Sequence, residues 1–187
     1  MKKILFALGL FITSFFSYAQ TSSGKQKINI NGVNYPCTKE WNFEDKIHVQ
    51  VSLHTQGSGY LILTACLQDD VYQLAGDAYI TLSNGDVVKC SYAGISEVVD
   101  DCSNRVYNIS AADIKKMRTV DGLIKSIKYS ISIMDTSVDK KSYTIKNSVP
   151  WDEIGTTWGP AFTYQEINNI FHLEEMRKEI EKKKSGK

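Results

Sequence analysis

The chain has 187 residues, 42% of them hydrophobic, and sets 22 Lys and Arg against 21 Asp and Glu. That balance argues against a nucleic-acid binder, which needs surplus cations to displace phosphate counterions. The length suits one domain that buries about two-thirds of its unfolded surface.

Residues 1–19 predict a secretion signal. Lys2 and Lys3 give a positive start, Ile4 to Phe16 carries no charge, and Ser17-Tyr18-Ala19 ends in a small-x-small cleavage pattern. The apolar run is shorter than the roughly 20 residues a spanning helix takes. No Cys follows to accept a lipid. Cleavage after Ala19 removes two lysines and leaves 20 bases against 21 acids. The expected address is the bacterial periplasm or the exterior, with no transmembrane segment after signal cleavage.

A weak edge strand is expected over residues 27–33. Ile47 to His54 alternates strictly, with Ile47, Val49, Val51 and Leu53 on one face and the other face toward solvent. Thr55 to Gly59 supplies a turn, and Tyr60 to Leu67 is apolar on both faces, as a central strand would be. Residues 78–82 and 86–92 flank Ser83-Asn84-Gly85, where Asn-Gly tolerates the positive φ angles of a tight hairpin. Residues 105–109 read as a strand running into a short helix. Ser110 and Asp113 form a reciprocal cap there, with Ile109 and Ile114 as the staple. Residues 123–134 form a long strand with Ile127, Tyr129, Ile131 and Ile133 on one face and Lys128, Ser130 and Ser132 on the other. Residues 142–147 are its partner.

An aromatic linker over residues 150–162 follows, and then a helix from Tyr164 to about Lys183. Thr163 and Glu166 repeat the cap, with Phe162 and Ile167 as the staple. Its apolar residues wander around the axis instead of keeping one stripe. The first turns are expected to dock, and Lys182-Lys183-Lys184 to fray. The fold class is therefore mainly β: an antiparallel β-sandwich-like domain with a short inserted helix and a C-terminal α-helix. Its divisions are the signal at 1–19, a β domain at 20–149, a linker packed on it at 150–162, and a helix with basic tail at 163–187.

Four cysteines, Cys37, Cys66, Cys90 and Cys102, suggest two disulfides in an oxidising compartment. Three pairings are open. The short loop favours Cys90–Cys102, which leaves Cys37–Cys66. Their spacing and three scattered histidines do not make a zinc site. His48 and His54 sit about 20 Å apart on one strand, too far to share a metal, and read as surface residues. His172 reads as a helix-surface residue.

No nucleophile elbow, zinc-protease helix or phosphate loop is present, so no catalytic residue, metal or cofactor is assigned. Acids in expected loops, Asp69-Asp70, Asp77, Glu97 and Asp100-Asp101, read as solvated charge. Trp151, Trp158 and Tyr164 are the candidate ligand-binding residues, since such rings stack on sugars or anchor a protein. Against this stands their use as cover for the core, a question that extends to Trp41. The sequence thus points to an exported, soluble, non-enzymatic binding module for a glycan or a protein. The alternatives are a hydrolase using loop carboxylates such as Asp70 and Asp101, or a periplasmic partner or inhibitor protein acting through its C-terminal helix.

Overall fold

Hydrophobic alternation with period two builds the domain, and the computed structural model describes residues 18–20, 26–44, 47–67, 72–133, 140–147 and 159–185. In chain order the strands are β1 (Tyr18–Gln20), β2 (Gln26–Ile30), β3 (Val33–Cys37), β4 (Trp41–Phe43), β5 (Ile47–Leu53) and β6 (Gly59–Cys66). Then come β7 (Tyr72–Leu82), β8 (Val87–Val99), β9 (Cys102–Ile109), α1 (Ala111–Met117), β10 (Ile124–Ile133), β11 (Lys141–Lys146) and α2 (Gly159–Ser185). The strands form one antiparallel sheet in the order β1-β2-β3-β5-β6-β9-β8-β7-β10-β11, with β4 added beside β5. The expected β domain with an inserted and a C-terminal helix is what forms. β1 spans the expected cleavage point and pairs with β2.

The sheet turns a corner along β8. Its first residues, 87–90, pair with β7, and residues 91–99 pair with β9. Gly94, with φ of 78°, sits at the register shift between Tyr92 and Ile95, where a bulge lets the strand change direction. The two arms enclose the main core. Val49, Val51, Leu61, Leu63 and Tyr107 come from one arm, Leu74, Ile80, Val88 and Ile127 from the other, and Ile114 and Met117 from α1. Full burial of each such side chain contributes about 1.5–3 kcal/mol.

A second, smaller core lies on the opposite face of the first arm. Ile28, Ile30, Cys37, Tyr60, Ile62 and Val106 form it. This corrects the expectation for β5, whose polar face is not open to solvent: Gln50 and Ser52 are buried. Burial is tolerated because each finds a partner. Gln50 Nε2 donates to the Thr38 carbonyl at 3.3 Å, and Ser52 Oγ donates to the Pro36 carbonyl at 3.0 Å.

The two Asn-Gly pairs behave differently. Asn31 and Gly32 both take positive φ, 51° and 81°, and close a two-residue hairpin between β2 and β3. The weak edge strand of the sequence reading is therefore a full hairpin. At the second pair only Gly85 is positive, at 92°, and Leu82 N donates to the Asp86 carbonyl at 2.8 Å across a longer loop. At α1, Ser110 Oγ accepts from Asp113 N at 3.1 Å as expected. The return half of the cap differs: the Asp113 carboxylate takes the Ser110 hydroxyl at 2.6 Å. Ile109 and Ile114 are buried, as the staple requires.

Candidate functional site

Helix α2 starts earlier than its sequence signals suggest. Its first residues are Gly159 and Pro160; proline suits a first turn because its missing N–H has no helical partner there. Thr163 is thus not the cap. It lies inside the helix, where its hydroxyl donates to the Pro160 carbonyl at 3.0 Å and accepts from Asn147 Nδ2 at 3.1 Å. Asn147 also donates to the Ile124 carbonyl at 2.9 Å, so one buried amide ties α2 to the ends of β10 and β11. Phe162, expected to staple the helix start, is 37% exposed.

The docked face is Gly159, Thr163, Ile167 and Phe171, one residue per turn. A latch follows. Arg118, just after α1, donates from both terminal nitrogens to the Glu175 carboxylate at 2.6 and 3.2 Å, and from Nε to Asn168 Oδ1 at 3.3 Å. Its guanidinium also stands 5.2 Å from the Phe171 ring centre. The Arg118 hydrogen bonds hold the Glu175 carboxyl below the ordinary carboxylate range.

Beyond Glu175 the helix continues to Ser185 with every residue exposed. Helical geometry runs through Lys182-Lys183-Lys184, where the sequence suggests fraying. Arg177 bonds Glu181 at 3.1 Å one turn on, which stiffens the free segment. The apolar residues that wander in sequence resolve into two stripes. Phe162, Leu173, Met176 and Ile180 are exposed at 37, 38, 40 and 54%. At about 100° per residue they fall within about 60° of arc, roughly 130° around from the docked stripe, and span about 27 Å.

Of the three residues proposed from sequence as ligand-binding, Tyr164 is the one among the described residues. Tyr164 is half-buried in the first turns of α2, and its carbonyl accepts from Asn168 Nδ2 at 3.0 Å. Trp151, Trp158, Asp69 and Asp70 lie outside the described residues. Trp41 is a core residue, 6% exposed. Asp100 and Asp101 form the two-residue turn between β8 and β9, with φ of 49° and 62°. Asp77 and Glu97, expected in loops, lie within β7 and β8. Asp77 pairs with Lys89 at 3.0 Å and accepts from Tyr92 N at 3.1 Å, and both lower its pKa, Lys89 first.

His48 Nδ1 meets Glu40 at 2.7 Å. His54, read as a surface residue, is half-buried; it meets Ser58 Oγ at 3.1 Å and packs against the Tyr35 and Tyr60 rings. His172 is exposed on α2. Among the described residues no three His, Cys, Asp or Glu gather as a metal site, and no helix is long and apolar enough to cross a membrane.

The preferred cysteine pairing is overturned. Cys66 bonds Cys102, and Cys37 and Cys90 are free and buried. Cys66 and Cys102 are directly opposed across β6 and β9. Cys90 is near in sequence to Cys102, but it faces Ala78 of β7, at the other end of the long, bent β8. Cys37 and Cys90 belong to the two separate cores. Burial pushes the Cys37 thiol up to about 12 and raises the Cys90 thiol as well, which disfavours the reactive thiolate at both.

Sequence reasoning missed Arg118 and Arg105. The Arg105 guanidinium lies 3.4 Å from the Tyr92 ring centre and donates to the Leu74 carbonyl at 3.1 Å, tying β9 to β8 and β7. Neither partner is near in sequence, so no local pattern marks these residues. No family model matches the chain, and no curated protein or solved structure is significantly similar to it.

Proposed function

We propose that the protein is an exported, non-enzymatic binding module that engages a partner protein through the free stripe of α2. The observation that carries this is the alignment of Phe162, Leu173, Met176 and Ile180 along one exposed side of a helix whose first turns are docked through a different side. An amphipathic helix enters an apolar groove through anchors at the i, i+3, i+7 spacing that Leu173, Met176 and Ile180 have. The Arg118 latch fixes the direction in which the helix projects, which lowers the ordering cost of association.

The test uses the purified protein with a photo-crosslinking side chain at Asn169, within the stripe, mixed with an envelope extract of its source cells. One discrete adduct is expected, and it disappears in the variant Phe162→Gln, Leu173→Gln, Met176→Gln, Ile180→Gln while circular dichroism stays unchanged. The same adduct in the folded variant would refute the role of the stripe.

A further inference from the structure

The outer face of β7, β8, β10 and β11 carries the polar half of the alternation. Register sets its side chains in rows across the strands. Thr144, Lys128, Tyr79 and Lys89 make one row, and Lys146, Ser126, Thr81 and Val87 the next. Ser142 and Ser130 begin a third. Lys125 stands beside Ser126 at a register shift, and Lys140 Nζ lies 4.0 Å from where a Cβ on Gly76 would stand. Lys89, Lys125, Lys128, Lys140 and Lys146 are all exposed. Two carboxylates stand close to them: Asp77, bridged to Lys89 at 3.0 Å, and Glu44, whose Oε1 accepts from Lys146 N at 3.3 Å. The chain's bases and acids nearly balance, 22 against 21, so this face holds a marked concentration of positive charge.

We propose that this face binds an extended anionic polysaccharide. Lys128 and Lys146, with Lys89 at the margin, meet its acidic groups, while the Ser and Thr rows meet its hydroxyls. Adjacent strands are about 4.8 Å apart, so Lys89 and Lys128 stand about 10 Å apart and the two rows about 7 Å apart. The cations are spread over a plane and do not converge, which suits a polymer with repeating charge better than a small anion. Ser and Thr hydroxyls both donate and accept, as sugar hydroxyls do. Tyr79, central in its row, offers a ring with a polar end to a sugar face.

A lipid surface fits less well, because among the described residues Val87 is the large exposed apolar side chain on this face and membrane-surface elements insert several. Single-stranded nucleic acid fits less well too, since one ring is not a stacking platform. The inference does not rest on the α2 reading.

The purified protein is titrated with polygalacturonate, dextran sulfate and neutral dextran, alongside vesicles of phosphatidylserine and phosphatidylcholine and a single-stranded oligonucleotide. Binding to the two anionic polysaccharides is expected, weakening with salt, with none to neutral dextran. Lys128→Ser with Lys146→Ser should weaken it roughly two- to thirtyfold, the range for two exposed charge contacts. The variant Lys182→Ser, Lys183→Ser, Lys184→Ser should bind as the parent does. Three outcomes overturn the proposal: no binding to either polyanion, loss through the tail variant instead of the strand variant, or tighter binding to vesicles or oligonucleotide.

Discussion

The two halves of α2 contain similar residues and meet different surroundings. From Gly159 to Phe171 the helix lays one side chain per turn into the core, while Leu173, Met176 and Ile180 face water on a different side. The switch comes between Phe171, the last buried residue of the helix, and the Arg118–Glu175 pair. Apolar content alone therefore does not say what a helix packs against. The phase of each stripe relative to the sheet does.

The sharpest way to break this comparison is to shorten one side chain in each half. Phe171→Ala should cost about 3–5 kcal/mol through transfer and cavity terms, whereas Leu173→Ala should stay within about 0.5 kcal/mol. Chemical denaturation followed by circular dichroism measures both. Equal losses would mean that the second stripe is packed in solution.

A smaller effect is expected at the tether. Thr163→Val removes the acceptor of a buried Asn147 donor that keeps its bond to the Ile124 carbonyl, so the cost should be about 1–2 kcal/mol. Hydrogen exchange should show the first turns of α2 opening more often, with the β6 and β9 amides unchanged.

The latch should contribute least, about 0.2–1 kcal/mol, because Glu175 is largely exposed and solvent screens the pair. Its pH dependence gives it away. The Glu175 carboxyl is held below its ordinary range when folded, so the stabilisation is present at neutral pH and is lost as pH falls through the folded value. Stability curves for the parent and Arg118→Ala should differ at pH 7 and converge in acid. A constant offset across that range would mean that Arg118 acts by packing on Phe171 instead.

Much of the sheet was legible because alternation is a local property. β5, β6, β10 and β11 stand within a residue or two of their expected bounds, and the staple at α1 is buried as read. Asn31-Gly32 carries the same local turn signal as Asn84-Gly85. The outcome also shows its limit. Asn-Gly permits two positive φ angles, but strand register decides whether both are used, and only the first pair uses both. The cysteines failed for a comparable reason. Loop length favoured Cys90–Cys102, whereas pairing of β6 with β9 put Cys66 opposite Cys102.

At the candidate site the sequence showed a C-terminal helix with drifting apolar residues, and the lysine and serine face of β10. Both follow from residue type and period alone. Tertiary structure decided that the drift is two separate stripes, that Arg118 latches one half, and that lysines from β8, β10 and β11 share a face. It also buried the polar side of β5 under a second core. The reason is physical. Periodicity fixes which side chains share a face of their own element, but what covers that face is set by residues distant along the chain, and no local pattern records where those residues arrive.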